Sequence, residues 1–287
     1  MPDVIWIDGE WHDRASARIS VMDHGLLYGD GVFEGLRAYN GRIFRLVEHL
    51  ARLEASARAI LLPVPQSRDE LAELHREVLR RSGLEQAYLR TVLTRGAGDL
   101  GLDLRKCPTP SLIIIATTLK MFPPEKFEAG IRVVTAGTPA PHREALSPRV
   151  KSLNYLPHVM AKHEGSLAGA DEVLMLDAAG QVLEGSGQNL FVVTDGVVRT
   201  PPAWVGILKG VTRDAIIELA QAAGLTVREE PLTRYDVYTA DEAFLTGTAS
   251  EVVPIRSLDG RDLAARGPGP VTRQLLAAFH ELVAREG

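Results

Sequence analysis

The sequence predicts an α/β protein in two lobes, and three features carry that expectation. Short apolar runs bounded by turn residues alternate with stretches of helical periodicity. A Pro-Pro pair interrupts the chain at Pro123-Pro124. The length of 287 residues, 45% of them hydrophobic, is enough for a sizeable core and suits two domains better than one.

Val4-Ile-Trp-Ile-Asp-Gly-Glu-Trp11 reads as a hairpin around Asp8-Gly9, a dipeptide that tolerates the positive φ angles of a tight turn. Leu46, Leu50, Leu53, Ala57 and Ile60 recur at helical spacing, as do Leu71, Leu74 and Val78, whereas Ser111–Thr117 is a short apolar run expected as a buried strand. Neither a helix nor a central strand continues through Pro123-Pro124. The expected division is therefore a small α/β domain over 1–119, a linker over 120–126 and a larger domain over 127–287. In the second part Ile131–Ala136 reads as a strand, Tyr155–Leu167 as a helix, and Glu172–Asp177 with Val182–Glu184 as a hairpin across Ala178–Gln181. Asn189–Val193 extends the β structure. Thr212–Gly224 has a capping threonine, an apolar stripe through Ile216, Leu219 and Ala223, and a terminal glycine.

Charge and cysteine content narrow the function classes. A net charge of −5 argues against a general nucleic-acid surface, so a local basic cluster has to hold any anionic ligand. Cys107 is the single cysteine and cannot form an internal disulfide. No signal-peptide pattern and no membrane-length apolar run is evident, and a reducing cytoplasm is the expected location. No metal site is expected: His158 and His163 are five apart, off a shared helix face. Gly96-Ala-Gly-Asp-Leu-Gly101 fits the glycine pattern of a dinucleotide loop, but the proline-containing stretch after it cannot start the long helix such a site needs. A mobile loop is expected instead.

The chemistry-bearing residues fall into a few segments. Lys151 opens Lys151-Ser-Leu-Asn-Tyr155, and Glu184, 33 residues further on, opens Glu184-Gly-Ser-Gly-Gln-Asn189. A lysine amine can hold an aldehyde as a Schiff base, and a carboxylate can keep a pyridine nitrogen protonated so that the ring absorbs electrons. Gly210-Val211-Thr212 precedes a helix, where orphan N–H groups and a hydroxyl form either an ordinary cap or a phosphate cradle. Thr246-Gly-Thr-Ala-Ser250 adds a hydroxyl at Thr248 and further amides, or is simply a turn. Tyr88 and Arg90 are two apart in an expected strand and so share one face, either wet or available to an anionic substrate. Taken singly, Lys151, Glu184 and Arg52 would each read as a solvated charge.

Together these segments resemble the branched-chain amino acid aminotransferases of the fold type IV pyridoxal-phosphate group. Seven blocks in the same order carry the resemblance: Tyr28–Arg37, His49-Leu-Ala-Arg52-Leu, Ala87-Tyr88-Leu-Arg90, Lys151–Tyr155, Glu184–Phe191, Gly210–Asp214 and Thr246–Glu251. The resemblance implies a small α/β lobe, a larger pseudo-barrel lobe, pyridoxal 5'-phosphate as cofactor with pyridoxamine phosphate as its intermediate form, and a homodimer or higher homo-oligomer. It implies Lys151 as the catalytic lysine, Glu184 beside the pyridine nitrogen, Tyr155 as donor to the ring hydroxyl oxygen, and Arg52, Val211, Thr212 and Thr248 as the phosphate cup.

The implied substrates are branched-chain L-amino acids and 2-oxo acids, 2-oxoglutarate among them, in a ping-pong reaction. Tyr28, Phe33, Arg37, Tyr88, Arg90, Thr248 and Ala249 are the implied substrate contacts, with Leu100 and Leu102 reaching in from a neighbouring subunit. Thr91 departs from the family pattern, in which proline often follows Tyr-x-Arg. Related readings are a D-amino acid or (R)-amine transaminase and an aminodeoxychorismate lyase; Arg37, Tyr88 and Arg90 favour the branched-chain enzyme.

Overall fold

The structure, a computed structural model, describes residues 3–286. The chain divides into two compact units. The first holds the residues up to Leu119, the segment Val150–Asn154 and the residues from Val283 on; the second holds Lys120–Arg149 and Tyr155–Leu282.

In the first unit, strands β1 (Val4–Ile7) and β2 (Glu10–His12) pair in the register Trp6↔Trp11. Asp8 and Gly9 turn between them at φ of 47° and 104°, conformations that an Asp-Gly pair adopts at little cost. Helix α1 (His24–Tyr28) leads into β3 (Gly31–Tyr39) and β4 (Arg42–Ile43). Helices α2 (Leu46–Ala59) and α3 (Arg68–Ser82) follow, then β5 (Ala87–Thr94) and β6 (Ser111–Thr117). The six strands form one sheet in the order β2-β1-β6-β5-β3-β4. Leu46, Leu50, Leu53 and Ala57 put the apolar stripe of α2 into the core with Leu71 and Val78 of α3 and with Leu89 and Ile114 of the sheet. Ser67 starts α3 with a reciprocal capping box to Glu70, which satisfies two of the helix's orphan N–H groups.

The second unit begins with α4 (Pro124–Ala129), β7 (Ile131–Thr135) and α5 (Leu156–Leu167). Strands β8 (Glu172–Leu176), β9 (Gln181–Gly185), β10 (Asn189–Thr194) and β11 (Val197–Thr200) follow. The chain then runs through α6 (Val211–Ala222), β12 (Val227–Glu229), β13 (Leu232–Thr233) and α7 (Arg234–Tyr238). Last come β14 (Glu242–Gly247), β15 (Glu251–Leu258), β16 (Arg261–Asp262) and α8 (Pro270–Glu286).

The path β10-β14-β15-β7-β8-β9 returns to β10 through the pair Asn189↔Glu184, so six strands close into a ring. Closure removes the exposed edges an open sheet would present. Ile131, Leu174, Val182, Leu190, Val192, Leu245 and Val253, all fully buried, form its core. The mixed α/β architecture matches the expected α/β fold class, and the ring of six strands corresponds to the pseudo-barrel lobe that the resemblance implies. Among the described residues no helix is long and apolar enough to cross a membrane.

Three expectations change. The segment from Lys120 belongs to the second unit, and Pro124 is the first residue of α4, with Pro123 at its cap, instead of lying in a linker. At a first helical position the missing N–H of proline has no helical partner to lose, so Pro124 starts this helix where it would have broken one elsewhere. Lys151, expected in the larger domain, is grouped with the first unit: Phe33 N–H donates to the Lys151 carbonyl (2.9 Å), Leu153 N–H to that of Gly31 (2.9 Å), and Ser152 bridges to Val32. The loop after β5, expected to be mobile, is tied down. His24 N–H donates to the Gly96 carbonyl (3.0 Å), Gly98 N–H to that of Met22 (3.2 Å), and Gly101 N–H to the Tyr28 hydroxyl (3.0 Å).

Candidate active site

In the first unit, strands β3 and β5 pair with Phe33 opposite Val92, Gly35 opposite Arg90 and Arg37 opposite Tyr88. Directly opposed residues share a face, so Phe33, Arg37, Tyr88 and Arg90 lie on one side of the sheet. Arg90 stacks over the Phe33 ring at 4.4 Å from its centroid and lies 5.7 Å from that of Tyr88, while Arg37 sits 4.9 Å from the Tyr39 centroid. The Lys151 Nζ lies 4.6 Å from the Phe33 centroid, so one ring contacts both a guanidinium and the lysine amine. Three cations gathered around aromatic rings make a surface suited to an anion.

Gly35 has a steric function here. A Cβ at this position would come within 2.3 Å of the Tyr88 hydroxyl, so only glycine lets the phenol lie across β3. Burial pushes the Tyr88 phenol pKa up, with Arg90 opposing, and the group remains a neutral donor. Tyr28, at the end of α1, meets His24 edge to face and accepts from Gly101, which places its ring beside the loop carrying Leu100 and Leu102. Those two leucines are 60% and 81% exposed.

The opposite face is a buried layer under α2 and α3. Glu34 is fully buried and receives a two-pronged bond from Arg52, Nε to Oε1 at 2.7 Å and Nη2 to Oε2 at 2.8 Å, and a third from His49 Nδ1 at 2.8 Å. Burial pushes the Glu34 carboxyl up, but the Arg52 and His49 contacts outweigh it and hold the group well below the usual carboxylate range. Burial keeps His49 neutral.

Thr91 also faces this layer. Its hydroxyl pairs with His75 Nε2 at 2.6 Å, while His75 Nδ1 pairs with the Leu71 carbonyl, also at 2.6 Å. A carbonyl only accepts, so Nδ1 carries the proton and Nε2 accepts from Thr91. Burial lowers the His75 pKa to about 4. Threonine in place of proline thus has a physical reason: its hydroxyl satisfies a buried histidine, and its N–H remains available in a strand flanked by β3 and β6.

In the second unit, the Glu184 carboxylate is 8% exposed and held on two sides. Asn189 Nδ2 donates to its Oε2 (3.1 Å) and to the Leu208 carbonyl (2.8 Å), while Leu208 N–H reaches both carboxylate oxygens at 3.2 and 3.3 Å. Helix α6 starts at Gly210 with no side-chain cap, so its first-turn N–H groups are oriented as a positive end for an anion. Thr212, expected as the capping residue, lies inside the first turn and is 3% exposed; Gly210 takes the cap position. Tyr155 caps α5 and stacks on His158, ring centroids 4.5 Å apart. Thr248 and Ala249 form the turn between β14 and β15.

Glu34, His49 and Asn189 escaped assignment from the sequence although each stands in one of the seven blocks. Glu34 carried a readable signal: a carboxylate in phase with Val32 and Leu36 on a strand must find a buried partner.

The folds and these residue sets define a class of enzyme: the profile Amino-transferase class IV matches residues 31–258, and the chain belongs to that family. Within it, the chain is 41% identical over 285 residues to a Pseudomonas aeruginosa protein named branched-chain-amino-acid aminotransferase, covering 98% of this chain and 92% of the relative. The crystal structure of the Escherichia coli branched-chain amino acid aminotransferase superposes with a TM-score of 0.94 at 38% identity, covering all of this chain and 96% of that one. The crystal structure of the Thermoproteus uzoniensis branched-chain aminotransferase with norvaline superposes nearly as well, TM-score 0.93 at 37% identity, with 100% and 96% coverage.

Proposed function

We propose that this chain is a pyridoxal 5'-phosphate-dependent aminotransferase that moves the amino group of branched-chain L-amino acids to 2-oxoglutarate in two alternating half-reactions. The observation that carries the reading is the gathering of Lys151, Arg90, Arg37, Tyr88 and Phe33 on one sheet face of a class IV aminotransferase. The residues fit the cofactor's chemistry: an amine for its aldehyde, a buried carboxylate already ringed by donors for its pyridine nitrogen, and an uncapped helix start for its phosphate. When bound, pyridoxal phosphate supplies an aldehyde and a ring able to take up electrons from the substrate α carbon.

Lys151 would remove the α proton from the substrate and hold it on its amine for return. Glu184 would pair with the ring nitrogen and hold a proton there. Arg52, the first-turn N–H groups of Val211 and Thr212, and the Thr248 hydroxyl bind the phosphate, while Tyr155 donates to the ring hydroxyl oxygen. Arg90 engages the side-chain carboxylate of the acidic substrate with Tyr88 and Arg37 beside it. Phe33 and Tyr28 provide apolar walls for the branched chain, and Thr248 and Ala249 bind the shared carboxylate end.

The same reading makes the working unit a homodimer or larger. Ile19, Val21, Leu26, Leu100 and Leu102 of the first unit are all exposed, an apolar set that suits burial against a second copy. Light scattering across a dilution series, with rates measured in parallel, checks this; full activity in a monomer contradicts it.

A substrate profile decides the activity. With pyridoxal phosphate and 2-oxoglutarate, L-leucine and L-valine are expected to react well and D-alanine and (R)-1-phenylethylamine poorly. Preference for D-alanine or the amine would overturn the assignment of substrate, and no reaction with any donor would overturn the assignment of activity.

A further inference from the structure

Asn189 lies where the six-stranded ring closes. It is opposite Glu184 on β9 and opposite Thr246 on β14, and it is 4% exposed. Its amide orientation follows from chemistry, because the Glu184 carboxylate and the Leu208 carbonyl both only accept, so the group facing them at 3.1 and 2.8 Å is Nδ2. The oxygen of the same amide faces the start of α6: a Cβ on Gly210 would lie 2.1 Å from Oδ1. Gly210 has φ −71°, which any residue adopts, so glycine is needed there for space and not for backbone freedom.

One buried side chain therefore touches both the carboxylate at the ring-closing strand and the residue that starts the helix. Leu208 strengthens the connection from the other side, since its N–H donates to Glu184 while its carbonyl accepts from Asn189.

We propose that Asn189 is a positioning residue that sets the spacing between the two cofactor anchors of the second unit, the Glu184 carboxylate and the Gly210-Val211-Thr212 start of α6. This role rests on the assignment of those groups to the ring nitrogen and the phosphate of pyridoxal phosphate. The cofactor ring and its phosphate are joined by a short, stiff arm, so both ends bind well together only if the protein holds its two anchors at a matching separation. Asn189 does this by fixing the Glu184 oxygens through Nδ2 and limiting the approach of Gly210 through Oδ1. It contributes no group to the reacting atoms.

The test measures equilibrium binding to purified apoprotein of three probes: pyridoxal phosphate, pyridoxal without phosphate, and inorganic phosphate competing against pyridoxal phosphate. In Asn189→Ala, binding of both half-probes should weaken, and pyridoxal phosphate should bind about tenfold or more weakly, the order expected for losing a bond to a charged group and its support. The reference variants separate the ends. Glu184→Gln should affect pyridoxal and spare inorganic phosphate, and Thr248→Ala, which removes the hydroxyl assigned to the phosphate, should do the reverse.

Gly210→Ala keeps Asn189 but pushes its amide aside, and it should reproduce the loss at both ends. It also serves as the informative variant if Asn189→Ala does not fold, as judged by circular dichroism. Loss confined to one half-probe in both variants, or unchanged binding of all three, would overturn the spacing role. If wild-type protein binds neither pyridoxal phosphate nor pyridoxal, the cofactor assignment itself fails, an outcome separate from failure of Asn189 alone.

Discussion

The two faces of strands β3 and β5 use the same residue types to opposite ends. On the covered face, every charge has been given a partner by α2 and α3: Arg52 is locked to Glu34 by two bonds, His49 adds a third, and His75 takes the Thr91 hydroxyl. On the other face, Arg90 rests on Phe33 and Tyr88 and forms no ion pair among the described residues, and the Lys151 amine lies over the same phenyl ring. A guanidinium on an aromatic face keeps its planar edge of N–H donors for a ligand, whereas one forked onto a carboxylate has committed part of that edge. The alternation of a β strand thus separates an ion-paired layer under α2 and α3 from an open layer of stacked cations one residue apart in sequence.

The largest effect should come from breaking the covered face. Glu34→Ala removes the buried carboxylate that Arg52 and His49 share, at a cost of about 3–5 kcal/mol. Urea denaturation measures it. A loss below about 1 kcal/mol would mean that this layer does not hold the unit together.

Acid should weaken the same layer before it protonates any ordinary carboxylate. The His75 pKa is lowered from 6.5 to about 4, so between those values the unfolded chain binds a proton that the folded protein does not. The stability this provides is complete above 6.5 and is lost as pH falls toward 4, amounting to about 3 kcal/mol. His49 is shifted in the same direction and adds to the loss. Glu34, held low, loses its own contribution only below its ordinary value of 4.5. Denaturation at pH 7.5 and pH 5 should therefore show a drop that shrinks in His75→Gln; equal drops would refute the assignment.

Arg90→Ala tests the open face. Stability should barely change, while kcat/KM for 2-oxoglutarate should fall about thirtyfold, equivalent to about 2 kcal/mol for a charge-assisted contact. The oxo acid derived from leucine should lose far less. Equal losses for both would assign Arg90 to the shared carboxylate end instead of the acidic side chain.

Thr91→Val, an almost isosteric change in the covered layer, should cost about 1 kcal/mol by leaving His75 Nε2 without its donor. A neutral result would show that the nitrogen finds another partner.

Much of the architecture was legible because it is local. Asp8-Gly9 marks its turn, the leucine spacing from Leu46 marks α2, and the apolar run from Ser111 marks β6. What escaped depends on partners far along the chain. Nothing near Lys151 says that its segment hydrogen-bonds to Gly31 and Phe33, and nothing near Thr212 says that Gly210, crowded by Asn189, takes the cap position. The lysine and glutamate roles were expected from whole blocks in order, since either residue alone reads as a solvated charge. Asn189 stood inside one of those blocks unassigned, because its partners at Leu208 and Gly210 come together with it only through the fold.

The central claim is that Lys151, on the open face, moves the substrate's α proton. Proton exchange at the α carbon of L-leucine, followed by nuclear magnetic resonance in deuterated water with pyridoxal phosphate present, tests it without requiring the second substrate. Wild-type protein should exchange the α proton of L-leucine, and Lys151→Ala should slow that exchange by roughly two to four orders of magnitude while the protein remains folded. Exchange by Lys151→Ala at the wild-type rate would contradict the account.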